Sequence, residues 1–167
     1  MATDPALAEP HKLTANDVTR GLTRWFHAHG HVVLSEVPLP SGRRADLLTV
    51  DPRGQLSIVE IKVARADLLG DTKWPDYLEW CDRFYWAVDP AIDLALLEVP
   101  ERQPERCGLL VADRYDGVLM REAALVPLAS ARRRSELLRL ARLAAWRLMQ
   151  LGDPDLAMVA DGHQPGF

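Results

Sequence analysis

The stretch Arg44-Ala45-Asp46-Leu47-Leu48-Thr49-Val50-Asp51-Pro52-Arg53-Gly54-Gln55-Leu56-Ser57-Ile58-Val59-Glu60-Ile61-Lys62 decides how this chain is read. Two largely apolar runs, each the length of a strand, flank the polar pentapeptide from Asp51 to Gln55. Pro52 suits position i+1 of a type I turn, and Gly54 suits the left-handed residue that follows it. Together they predict a β-hairpin with a three-residue loop and a G1 bulge. Such a loop sets Asp51 opposite Gln55, Val50 opposite Leu56, Leu48 opposite Ile58 and Asp46 opposite Glu60. Paired residues point to the same side of a sheet, so both carboxylates share one face, and Lys62, two residues beyond Glu60, joins them. A two-residue loop would put the two acids on opposite faces.

Two carboxylates and a lysine converging from adjacent strands suit a hard divalent cation such as Mg²⁺ or Mn²⁺, which prefers oxygen ligands and keeps several waters. Asp46 and Glu60 are the candidate ligands, and the carbonyl of Ile61 is a further one. Such a metal polarises a phosphoryl oxygen and lowers the pKa of a bound water. Lys62 is placed to orient that water or to stabilise charge developing on a phosphate. The pattern points to phosphodiester hydrolysis. An Asp and an ExK on neighbouring strands also arise by chance on solvated edges. Against that, Leu56 to Val63 is apolar around its charges and reads as a buried strand, in which charges need partners or a metal.

Outward from the hairpin, Thr14-Ala15-Asn16-Asp17 can cap a helix in which Val18, Leu22, Trp25 and Phe26 recur at helical spacing and which Gly30 ends. His31 to Pro38 forms a strand ahead of the hairpin. Ala64 to Leu69 forms a short helix broken by Gly70, Pro75 opens another running to about Cys81, and Arg83 to Val88 is a fourth strand. Residues 89–106, with Pro90, Pro100 and Pro104, read as a loop with at most a short helix. Gly108 to Ala112 and Val118 to Arg121 form a last hairpin, and a long helix runs from Ser130 or Ala131 to about Leu151. Residues 1–13 read as a leader, 14–151 as a single domain and 152–167 as a tail.

A chain of 167 residues, 48% hydrophobic and 26% charged, can build one real core. No signal peptide or membrane-spanning run is legible, and two well-separated cysteines fit a reducing, cytoplasmic setting. The net charge of −4 excludes a generally basic nucleic-acid coater, while leaving room for a local basic rim. Arg43, Arg44 and Arg65 lie nearest the proposed metal and are candidates for phosphate contacts.

Other features have two readings. His27, His29 and His31 suggest a metal cluster, but without a carboxylate or cysteine at zinc-site spacing they read as surface histidines. Trp74, Tyr77, Trp80, Phe84, Tyr85 and Trp86 concentrate aromatics after the site. Phe84 and Trp86 read as core, while Trp74 and Tyr77 fit either core or base stacking. On the last helix, Arg132, Arg139, Arg142 and Arg147 fall on one arc, across from Leu137, Leu138, Ala141, Ala145 and Leu148. That arc reads as a solvated face or as a phosphate-contacting stripe.

Arg44-Ala45-Asp46, the hairpin, Glu60-Ile61-Lys62 and the following helix resemble the PD-(D/E)xK nuclease superfamily. That resemblance implies a restriction-endonuclease-like α/β fold: an αβββαβ core with a mixed central sheet, followed here by the C-terminal helix. More narrowly, these motifs resemble the MmcB family of bacterial DNA repair proteins. So do Asp71-Thr72-Lys73-Trp74-Pro75-Asp76-Tyr77, Cys81-Asp82-Arg83-Phe84-Tyr85 and Gly108-Leu109-Leu110-Val111-Ala112-Asp113. The resemblance runs from about Val18 to Met149. It implies Asp46 and Glu60 as metal ligands, Lys62 as the catalytic lysine, and a role in repair of crosslinking damage. Lys73-Trp74-Pro75-Asp76-Tyr77 resembles the accessory QxxxY motif of RecB-type nucleases, with Lys73 where glutamine is usual. It makes Lys73, Asp76 and Tyr77 accessory residues, and Lys73 and Trp74 candidates for nucleic-acid contact. Many superfamily members carry a glutamate on the first helix. This helix has none, and Asp17, or Glu36 on the first strand, are the substitutes. The expected partner is damaged or branched DNA, with no membrane. A homodimer is in keeping with resolvase-like relatives that work in pairs. The readings are thus a Mg²⁺-dependent repair endonuclease, a DNA-structure-binding protein of the same fold with weak or no cleavage, and an adaptor for a protein partner.

Overall fold

A computed structural model describes residues 12–156. The elements are α1 (Ala15–Ala28), β1 (Val32–Pro38), β2 (Arg44–Val50), β3 (Leu56–Lys62), α2 (Arg65–Gly70), β4 (Arg83–Val88), β5 (Gly108–Ala112), β6 (Gly117–Arg121) and α3 (Ser130–Gly152). The six strands form one mixed sheet in sequence order. The pairs β1–β2, β2–β3 and β5–β6 are antiparallel, and β3–β4 and β4–β5 are parallel. The expected αβββαβ order is present, although its second helix is short. The leader and tail fall mainly outside the described residues.

Local chemistry accounts for the elements. Thr14 and Asp17 form a capping box at the start of α1, and Gly30 takes a positive φ just past its end. In the β2–β3 loop, Gly54 has φ 77°, its N–H donates to the Asp51 carbonyl, and the Asp51 N–H donates to the Gln55 carbonyl. The ladder pairs Val50 with Leu56 and Leu48 with Ile58, as the turn residues require. Every residue of β3 is buried, as befits a strand covered on both faces. On one face, α1 lays Val18, Leu22 and Phe26 against Leu47, Val59, Ile61 and Leu110. On the other, Leu48, Ile58, Trp86 and Val88 meet Trp74, Tyr77, Trp80 and Leu140.

Two expectations are corrected. Pro75 does not open a helix to Cys81: a single 3-10 turn spans Trp74–Tyr77, because Trp74, Tyr77 and Trp80 are all drawn into the core. The last helix lies the other way round. Leu138, Ala141, Ala145 and Leu148 are exposed, whereas Arg139 is buried. Arg139 donates to the Pro38 carbonyl and Arg147 to the carbonyls of Ser35 and Glu36, so these arginines satisfy oxygens of edge strand β1. Arg132 covers the Trp80 ring. Arg139, Arg147 and Arg132 are therefore neither a solvated face nor a phosphate stripe; Arg142 alone of that arc is exposed.

Asp82, fully buried at the start of β4, ties three segments together. It accepts from the N–H groups of Leu56 (2.8 Å) and Leu128 (2.7 Å) and pairs with Arg133. Burial alone would raise its pKa, but the Arg133 hydrogen bond and the two amides hold it below the usual aspartate value. Asp82→Ala strands these donors and should cost about 3 kcal/mol or more. Urea denaturation at neutral pH reads this as a lowered midpoint with an unchanged slope.

Candidate functional site

The hairpin register brings Asp46 and Glu60 side by side. The Asp46 N–H lies 3.4 Å from Glu60 Oε1, and the Ile61 N–H donates to Asp46 Oδ2 at 2.7 Å. Glu60 is only 4% exposed, and Asp46 is half-buried. Burial pushes the Glu60 carboxyl up to about 8, and the charge of Asp46 adds to the effect. Burial raises Asp46 as well, against the pull of the Ile61 amide. Two carboxyls held this closely in a dry setting resist ionising together, and a cation between them relieves that cost.

Lys62 is 7% exposed. Its ammonium lies 3.7 Å from Glu60 but 2.8 Å from Asp71, with Asp67 at 4.0 Å. Burial opposes its charge, yet the hydrogen bond and charge of Asp71 outweigh this and raise its pKa. The reciprocal holds for Asp71. Burial would raise it, and Lys62 together with the amides of Lys73 and Trp74 brings it below the usual range. Asp71 is held by its backbone as well: Arg102, buried beneath it, donates to the carbonyls of Asp71 (2.8 Å) and Leu68 and stacks over Trp86. Sequence reasoning quoted Asp71 without giving it a role. The signal was an acid nine residues past the ExK lysine, and Arg102 left none.

The remaining candidates divide. Tyr77 reaches the site: its hydroxyl donates to the Arg44 carbonyl at 3.1 Å, and burial with the nearby Glu60 and Asp46 carboxylates pushes its pKa upward. Glu36 also comes close, in a left-handed kink of β1 (φ 50°). It pairs with Arg44 at 2.6 Å and adds to the upward push on Asp46. Asp17 does not. It caps α1, on the opposite face of the sheet, and faces Arg114. Arg43 pairs with Asp76 at 2.8 Å. Arg65 and Lys73 are exposed and have no side-chain partner among the described residues. Trp74 is corrected from a nucleic-acid contact to core: it is 3% exposed and packs on Phe84 and Trp86. His29 stacks on Trp25 and His31 meets Thr49; among the described residues the histidines join no group poised to hold a metal.

Among the described residues, no group of three or more acids, histidines or cysteines is poised around a metal. The donor set is smaller: two raised carboxyls next to a lysine that Asp71 neutralises. That set fits an ion such as Mg²⁺, which is commonly held by one or two carboxylates and completes its shell with water and substrate oxygens. Asp46 and Glu60 could hold it. The Ile61 N–H, not its carbonyl, is what contacts Asp46.

A pH signature follows from Glu60. Between its ordinary value of 4.5 and about 8, the unfolded chain has released the proton that the folded chain keeps. Metal-free stability therefore falls as pH rises across that window. Glu60→Gln should flatten the fall. Millimolar Mg²⁺ should raise the thermal midpoint of the wild type more at about pH 8 than at about pH 6, and leave Glu60→Gln unmoved. Thermal melts followed by circular dichroism across that range check both.

No curated protein matches the chain. A solved structure described as "SPO1766 protein of unknown function from Silicibacter pomeroyi" is similar, with 38% identity over 97% of this chain and 100% of that one and a TM-score of 0.75. The model of the family described as "DNA repair protein MmcB-like" matches residues 3–155. With nearly its whole length matched, the chain belongs to the MmcB-like DNA repair protein family.

Proposed function

We propose that this chain is a metal-dependent DNA endonuclease of the PD-(D/E)xK type acting in DNA repair. The observation that carries the reading is the adjacent carboxyl pair, buried Glu60 and half-buried Asp46, both held above their ordinary pKa values and flanked by a charged Lys62. A structural ion pair has no need of two adjacent acids that destabilise each other. Family membership supports a role in DNA repair, with DNA as the partner.

A bound Mg²⁺ or Mn²⁺ supplies a polarised phosphoryl oxygen and an acidic water. The chain supplies the rest. Asp46 and Glu60 fix the position of positive charge, and the Ile61 amide keeps Asp46 aimed. Lys62 places an ammonium beside Glu60, where it stabilises charge on a phosphate oxygen. Arg44, whose guanidinium is exposed beside Glu36, and Arg65 and Lys73, which are unpaired, offer phosphate contacts at the rim. Tyr77 buttresses the Arg44 backbone. The exposed rim and the buried acids together suit a backbone that lies over the site without entering it.

A second reading, a DNA-structure-binding protein that cuts weakly or not at all, draws on one observation. Lys62 is closer to Asp71 than to Glu60, so the ammonium is partly spent. A cleavage assay on flaps, forks, junctions and crosslinked duplexes with Mg²⁺ or Mn²⁺ separates the two. On the first reading, Lys62→Ala and Asp46→Asn each lower the rate by about 10²–10³-fold while DNA binding persists. Metal-independent binding with no cutting supports the second, and cutting that is indifferent to both variants removes the first.

A further inference from the structure

The net charge of the chain is −4, yet one face of α1 is lined by cations. Arg20, Arg24 and His27 recur at i, i+4 and i+7, so they form a single stripe along the helix. The stripe points away from the buried side, which carries Val18, Leu22 and Phe26. All three are exposed and have no side-chain partner among the described residues. Asp17 is the only acid of α1; it caps the helix N-terminus and faces Arg114. Asn16 and Thr23, also on the solvent side, are uncharged.

The stripe continues past the helix end. Gly30 lies against Pro52 of the β2–β3 loop, which brings the neighbouring Arg53 to the C-terminal end of α1. A cavity of about 630 Å³ opens there, and its lining includes Trp25, His29, Arg53 and Ser57. The groups left uncommitted decide the sign of an occupant. Both acids of the cavity are engaged: Asp51 accepts from the N–H groups of Arg53 and Gln55, and Glu122 accepts from Tyr85 and Arg83. The Arg53 guanidinium is exposed and has no partner among the described residues. Nor has the hydroxyl of Ser57, a residue only 3% exposed. The uncommitted charge is positive, so the complement is an anion.

Spacing narrows the anion. Arg20 to His27 covers about 10 Å along the helix, roughly the axial length of three phosphates of one DNA strand. A row on that scale fits a polyanion better than a single phosphate group. DNA is the partner that family membership supports. The exposed cations of α3 make no such row: Arg134 and Arg142 stand about two turns apart, with exposed Leu138 between them. We propose that the α1 stripe, continued by Arg53, is a docking surface for the phosphate backbone of DNA. It lies on the face of the sheet opposite Asp46 and Glu60, so the backbone it holds is a different stretch from any at those acids. The proposal needs DNA as the partner but no metal at the acids.

The test reads the salt dependence of DNA affinity. A labelled duplex is titrated with the full chain in EDTA, which prevents cutting, and anisotropy follows binding between about 50 and 200 mM salt. The double variant Arg20→Gln, Arg24→Gln should flatten the slope of log affinity against log salt by about two, and lower affinity about tenfold or more at about 0.1 M salt. Arg20→Lys, Arg24→Lys keeps both charges and should keep the slope. These side chains are exposed, so the thermal midpoint should not move. Arg134→Gln, Arg142→Gln makes the same change of net charge elsewhere and should leave the slope alone. An unchanged slope in the α1 glutamine variant, or an equal fall in the α3 variant, overturns the proposal. So does a wild type that binds no DNA at about 50 mM salt. Asp46→Asn, assayed in parallel for cleavage with Mg²⁺, separates this surface from the nuclease reading. Cutting lost in Asp46→Asn, with no change of slope in the α1 variant, leaves the nuclease and removes the surface. A slope that depends on Arg20 and Arg24, with cutting indifferent to Asp46, keeps the surface and removes the metal site.

Discussion

Two acidic side chains forced together, Glu60 buried and Asp46 half-buried, are the constraint on which this molecule turns. The β2–β3 loop leaves Asp46 and Glu60 no alternative to facing the same way, and the sheet buries Glu60 with the rest of β3. A carboxyl pair in such a setting weakens the fold unless something else gains. The neighbours lessen the strain without removing it. The Ile61 amide stabilises Asp46, and Lys62 stabilises Glu60, yet both pKa values remain raised. Strain of this kind that persists in a folded protein is the ordinary mark of a place where something binds or reacts.

Around that constraint, arginine is used as a structural fastener rather than as a surface charge. Arg102 closes the loop that carries Asp71, Arg133 secures Asp82, and Arg139 and Arg147 join the last helix to carbonyls of β1. A planar guanidinium with several donors suits this task, since one side chain can satisfy two oxygens at once. The arc of arginines late in the chain reads in sequence as either a solvated face or a footprint for phosphate. In the fold two of its members, Arg139 and Arg147, cover carbonyls of an edge strand, which also guards that edge against pairing with another chain.

The hairpin, its register and the convergence of Asp46, Glu60 and Lys62 were legible because they depend on turn chemistry over five residues and on a period of two. The first helix was legible for the same reason: Thr14, Asp17 and Gly30 act on their immediate neighbours. What was not legible depends on partners distant in sequence. Whether Lys62 points at Glu60 or at Asp71 is settled by Arg102, which no local pattern connects to either. The facing of α3 was misread because an arc of arginines and an arc of leucines have the same helical spacing, and unsatisfied β1 carbonyls decided between them. Trp74 could serve stacking or core by composition, and burial against Phe84 and Trp86 chose core.

The placement of the irregular segments has a consequence for access. The regular sheet fixes the acids to within a hydrogen bond, but what surrounds them on the open side is α2, a 3-10 turn and the turns after β4. Backbone of that kind can vary its outline without disturbing the sheet. The paired acids and the groups that border them are therefore carried by different parts of the chain. Asp71 and Arg102 join the two: the Asp71 carboxylate holds Lys62 of β3, and Arg102 holds the Asp71 carbonyl while lying over Trp86 of β4.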